Sequence, residues 1–145
     1  MSGPADTDRV AWWRAMEERY GRSPVHEVFG LSLRVLGAGV VAVDYGGDPA
    51  AGNIHGTVSG GAIAQLVDSG VVQACRTLLA ADDRAVTVAL AVSFVRAARV
   101  GTPLSAVGRV VDVGGTLGTA RVEVASGSGE VVAIGQGTVR IRRAG

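Results

Sequence analysis

One stretch of this chain constrains the rest. Over residues 59–80 apolar side chains recur at helical spacing around more than half of the helix circumference, the only long helical pattern of this kind in the sequence. Such a helix is predicted to be buried, so the remainder of the chain must surround it. That remainder reads as extended. Runs rich in β-branched residues occupy 31–36 and 40–44, joined through Gly37-Ala38-Gly39, and then 85–95, 104–113, 119–125 and 131–142. No helical pattern separates the last four, which disfavours a parallel, doubly wound sheet. Their connections contain Gly101, Gly114-Gly115 and Gly127-Ser128-Gly129 and are short enough for antiparallel neighbours. The expected fold is α+β: an antiparallel β-sheet wrapped around one long central helix, with that helix between the first hairpin and the last four strands.

Ahead of this core, residues 6–20 read as a helix with Asp6 or Thr7 as N-cap, anchored by Trp12 and Trp13. Ser23-Pro24 reads as a cap followed by Pro at the first helical position, starting a single turn through Phe29. The chain is thus expected to divide into an N-terminal helical segment, 1–28, and a domain, 29–145. A length of 145 residues suits one core. Glycine, with 22 copies, stands at about twice its average share of ~7% and clusters between the apolar runs.

Charge and residue usage exclude several functions. Fourteen basic residues, all Arg, stand against thirteen acidic ones, with no basic stripe to follow a nucleic-acid backbone. The absence of Lys removes a P-loop or Schiff-base lysine. The single cysteine, Cys75, cannot form an internal disulfide and reads as a small core residue. The opening residues carry no signal-peptide pattern, so a cytoplasmic location is expected. Gln65, Asp68 and Gln73 interrupt the apolar stretch, against a membrane span. His26 and His55 lie apart, without metal-ligand spacing, and no nucleophile elbow or dinucleotide fingerprint is present.

The chemistry lies on the helix. An angular projection places Gln65, Ser69, Gln73 and Arg76 in one polar sector, with Asp68 outside its centre among Gly61, Ala64, Val72, Cys75 and Leu79. Asp68 reads either as the edge of a solvated face or as a poorly solvated carboxylate suited to proton transfer. Ser59-Gly60-Gly61 offers a cap hydroxyl and two unhindered amides where a helix leaves donors free and positive, or a plain cap with room for close packing. Asn53 could orient a water or a carbonyl, or simply form a turn after Gly52.

Residues 53–61, NIHGTVSGG, followed by Asp68, resemble the N-x-x-G-x-x-H-G-G-x(6)-D segment of hotdog-fold acyl-CoA thioesterases of the PaaI type. Residues 86–97, VTVALAVSFVRA, resemble that family's V-T-V-D-L-N-V-N-F-L-R-P strand, and the likeness runs from about Phe29 to Ile141. The resemblance implies a homodimer or dimer of dimers acting on an acyl-CoA or acyl-carrier thioester, without cofactor or metal. In it Asp68 is the base or nucleophile, Gly60 supplies the amide that polarises the thioester carbonyl, and Asn53 positions the reacting groups. Thr87 assists the site, and Ser59 and Gly61 line the substrate. Ser59 stands where the family has His, with His55 four residues earlier as a possible stand-in; Ala89, Ala91 and Ala97 replace Asp, Asn and Pro.

One geometric constraint is independent of that likeness. Gly60 and Asp68 are eight residues apart, ~12 Å along a helix, whereas two groups acting on one carbonyl must each approach to about 3 Å. If both act, the Asp comes from a second chain. The competing expectations are a non-catalytic acyl-thioester-binding protein of the same fold, and a hotdog dehydratase, for which neither His is well placed.

Overall fold

A computed structural model describes residues 4–145. The chain runs α1 (Pro4–Gly21), α2 (Pro24–Phe29), β1 (Leu31–Gly37), β2 (Val40–Tyr45), a 3-10 turn (Pro49–Ala51), α3 (Gly60–Arg76), β3 (Arg84–Phe94), β4 (Leu104–Val113), β5 (Leu117–Ser126) and β6 (Val131–Arg142). Six strands form one sheet in the order β1-β2-β4-β5-β6-β3, and each neighbouring pair is antiparallel. The sheet wraps α3, which packs on β2, β3, β4, β5 and β6, as the buried-helix pattern predicts. No helix among the described residues is long and apolar enough to cross a membrane.

Close packing accounts for part of the glycine excess. A Cβ on Gly108 of β4 would collide with the Gly70 carbonyl oxygen of α3, and one on Gly70 would stand 2.8 Å from Val122 Cγ2. Helix and sheet therefore meet backbone to backbone, at a separation that larger residues at either position would force open.

Three expectations need correction. The connection after β3 is no hairpin: β3 pairs with β6 at one edge of the sheet, and β4 pairs with β2 and β5. Leaving the edge, residues 95–103 cross beneath the 52–58 loop, where Val58 N donates to Ala98 O and Val100 N to Gly56 O. Second, α1 is already helical at Pro4, so Asp6 and Thr7 lie within it and neither is its N-cap. Third, α3 ends at Arg76, before residue 80, because other partners satisfy its last carbonyls: Trp13 Nε1 donates to Thr77 O at 3.1 Å and Trp12 Nε1 to Arg76 O at 3.5 Å. These two indoles, with Met16 and Tyr20 one and two turns on, are how α1 is anchored. Beyond β6, Arg143 is held in place. It donates to Asp83 Oδ2 at 3.1 Å and to Gly114 O at 3.1 Å, tying the C-terminus to the start of β3.

The two sheet edges differ in chemistry. At β1, Glu17 accepts the Val35 N–H at 3.2 Å and Arg34 pairs with Asp44, so the edge is guarded by charge. At β3 the exposed side chains include Val86, Val88, Leu90 and Phe94, between 38% and 58% exposed. Such an apolar edge is open to another strand.

Candidate active site

The 52–58 loop leads into α3 through hydrogen bonds that Asn53 supplies. Asn53 Oδ1 accepts from the amides of His55, at 2.9 Å, and Thr57, at 3.1 Å, while Nδ2 donates to Thr57 Oγ1 at 2.8 Å. Both ends of the amide are thus engaged within its own loop, in the manner of a turn-forming Asn. The His55 side chain stands exposed on the same loop.

Ser59 takes the cap position with extended backbone, φ −63° and ψ 146°, and its Oγ accepts from Ala62 N at 3.1 Å. Its carbonyl takes the Ile63 amide. The N–H groups of exposed Gly60 and Gly61 find no acceptor among the described residues, which leaves two donors at the positive end of a seventeen-residue helix. A Cβ on Gly61 would meet Ser59 Oγ at 3.9 Å, an ordinary contact, whereas one on Gly60 would lie 3.4 Å from Phe94 Cζ at the end of β3. Ser59→Ala is expected to lower stability by about 1 kcal/mol, the usual cost of losing a cap, and to leave turnover measurable because the glycine amides stay in place. A thermal melt beside an activity assay checks this.

Farther along the helix, Asp68 is half-buried and its Oδ1 accepts a hydrogen bond from Thr87 Oγ1 at 2.6 Å. The helical face on which it lies is the partly open one, with Gly61, Ala64, Gln65, Val72 and Arg76 also only partly covered or exposed. This corrects the projected polar sector: Ser69 and Gln73 are buried, at 3% and 8% exposure, and Asp68 lies along the accessible stripe. The cause is α1, whose Tyr20 hydroxyl reaches Ser69 Oγ at 2.8 Å and covers that side of the helix.

Cys75 is fully buried, and burial pushes its thiol up to about 11, far from nucleophilic use. Among the described residues no three His, Cys, Asp or Glu side chains gather as a metal site. Phe94 stands beside Gly60, and Tyr20 and Gln65 both bond Ser69, neighbours that motif spacing does not reveal.

The candidate site thus has two elements on one helix, a pair of free amides at its start and a Thr-bonded carboxylate two turns on. The family model described as "Thioesterase superfamily" matches residues 55–133, a segment that holds Gly60, Asp68, Thr87 and Phe94. The chain belongs to the thioesterase superfamily. Its hotdog fold is shared by the PaaI protein of the Escherichia coli phenylacetic acid degradation operon, at 24% identity and TM-score 0.80, over 92% of this chain and 94% of that one. A mutant of the phenylacetic acid degradation protein PaaI of Thermus thermophilus is 30% identical, TM-score 0.73, over 81% of this chain and 98% of that one. A Deinococcus radiodurans protein named "Putative esterase" is 44% identical over 91 residues, 62% of this chain; the match spans 60% of that relative's length.

Proposed function

We propose that this superfamily member hydrolyses an acyl-CoA or acyl-carrier thioester at a site shared by two subunits. One observation carries the reading: the free amides and the carboxylate stand beside opposite ends of the same edge strand, which is paired on one side only. Gly60 neighbours Phe94, Asp68 bonds Thr87, and Thr87 and Phe94 both face α3 from β3. An antiparallel pairing of two β3 strands about a two-fold near Leu90 and Ala91 sets Thr87 opposite the partner's Phe94. Each Asp68 then comes alongside the partner's Gly60, which resolves the ~12 Å separation within one helix.

In such a site the thioester carbonyl oxygen lies on the Gly60 amide, where the helix dipole and the N–H stabilise the charge of the tetrahedral intermediate. Asp68, oriented by Thr87, takes a proton from the attacking water, or adds to the carbonyl carbon itself. Collapse of the intermediate expels the thiolate, and hydrolysis leaves the free acid and the thiol. Asn53 acts at a distance, by fixing the loop that aims the start of α3. Free-thiol release from a panel of acyl-CoA substrates tests the proposal. Turnover of any member supports it; saturable binding across the panel without thiol release marks a passive acyl-thioester binder.

A further inference from the structure

Phe94 sets a large apolar side chain against the start of α3, where neither the amides nor the carboxylate has a use for one. The register of β3 is what turns it there. On β6 the buried residues Ala133, Val139 and Ile141 stand opposite Phe94, Thr87 and Ala85. Opposed residues of an antiparallel pair share a face, so Thr87 and Phe94 both look toward α3. They are seven positions apart, an odd step that a regular strand would send to opposite faces. Val88, which the pairing skips between Thr87 and Ala89, restores the phase as a bulge does.

At this end of the strand the helix offers little cover. Gly60 and Gly61 bring no side chains, and a Cβ on Gly60 would lie 3.4 Å from Phe94 Cζ, 3.5 Å from Cε1 and 4.0 Å from Cε2. The tip of the ring therefore stands against the helix start, and the residue remains 56% exposed. Val92, one step inward on the same face, is half-buried against the core. Two free amides and an apolar ring thus share one opening. A thioester has the same division, because its carbonyl oxygen accepts while the carbon beside the carbonyl begins an apolar chain. With the oxygen on the Gly60 amide, the substituents of the carbonyl carbon come within reach of the ring. The coenzyme or carrier arm is polar and leads to solvent, so the acyl end is the one that gains from lying on Phe94.

We infer that Phe94 is a specificity-determining residue of the proposed hydrolysis, the wall that limits the width of the acyl group at the carbon next to the thioester carbonyl. This rests on the carbonyl oxygen lying on the Gly60 amide. A linear acyl chain runs past the ring, and a branch at that carbon meets it. The pairing of two β3 strands sets Phe94 opposite Thr87 of the partner subunit, so the wall stands between the amide of one chain and the carboxylate of the other.

Butanoyl-CoA and 2-methylpropanoyl-CoA test this, being isomers that carry the same apolar atoms and differ in width beside the carbonyl. Phe94→Ala is expected to raise the branched-to-linear ratio of kcat/KM by about 10-fold, the scale of one methylene in a fitted pocket. Phe94→Trp is expected to lower the ratio below the native value. A change that only weakens the fold or the dimer slows both isomers alike and leaves the ratio where it was. Thermal melts and light scattering accompany each variant, and Phe94→Leu, which keeps an apolar side chain at the strand end, replaces Phe94→Ala if that chain does not assemble. A ratio that neither substitution moves, or that both move the same way, overturns the proposal. If the native protein hydrolyses neither isomer, nor any other acyl-CoA, the hydrolysis reading fails by itself. The ratio of calorimetric affinities for the two thioesters, in the same variants, then decides the role of Phe94.

Discussion

Asp68→Asn is expected to fold as the wild type does, bind acyl-CoA with little change, and lose turnover by about 10²- to 10⁴-fold, or more if Asp68 is the nucleophile. The substitution keeps size and an oxygen that can still accept from Thr87 Oγ1, which in the native protein lies 2.6 Å from the carboxylate. What it removes is the charge and the capacity to take a proton. Removing a half-buried charge costs little stability when the partner hydroxyl remains satisfied. Melting temperature, calorimetric affinity and thiol release, measured on one preparation, separate these effects. Near-native hydrolysis by a well-folded variant would remove Asp68 from the mechanism.

An equally large loss is expected from changes along the β3 edge, on either side of Thr87. Val86 and Val88 are 57% and 58% exposed on the β3 edge, so Lys at both positions should fit the monomer within about 0.5 kcal/mol. Charge along an edge is how sheets repel further strands. The double variant Val86→Lys, Val88→Lys is therefore expected to behave as a folded monomer in light scattering at micromolar concentration. With the Gly60 amide and Asp68 no longer meeting at one thioester, turnover should fall by about 10²-fold or more. A monomer with native activity would contradict the shared site.

Much of this architecture can be read in the sequence because it is local. Ser59 as a cap, Pro24 at the start of α2, the hairpin through Gly37 to Gly39 and the extended runs follow from propensity and period, and the structure has each of them. The errors share a physical origin in contacts made at long range. Strand β3 could not be placed beside β6 from its connections alone, since pairing is decided by what α3 leaves uncovered. The angular projection of α3 could not show which side α1 covers, because Tyr20 and Ser69 meet across 49 residues. His26 has no motif; it is the stacking on Tyr20 that holds it against α1. Arg143 likewise finds Asp83 across 60 residues.

The central claim is that each site takes its amide from one chain and its carboxylate from the other, and complementation of two inactive variants tests it most directly. Gly60→Pro deletes the N–H at the first helical position, where proline is well tolerated. Ser59 already has the extended backbone, ψ 146°, that a following proline requires, and the nearest neighbours of a Cβ at Gly60 are ring atoms of Phe94 at 3.4 Å and beyond. Alone, Gly60→Pro is expected to lose about 10²- to 10³-fold in turnover, and Asp68→Asn alone is inactive as argued above. In a mixed dimer one site pairs the intact Gly60 of the Asp68→Asn chain with the intact Asp68 of the other, while the second site carries both substitutions. Random assortment from equal amounts should restore about a quarter of wild-type activity. Activity that stays at the level of the separate variants, in dimers proven to be mixed, would contradict the account.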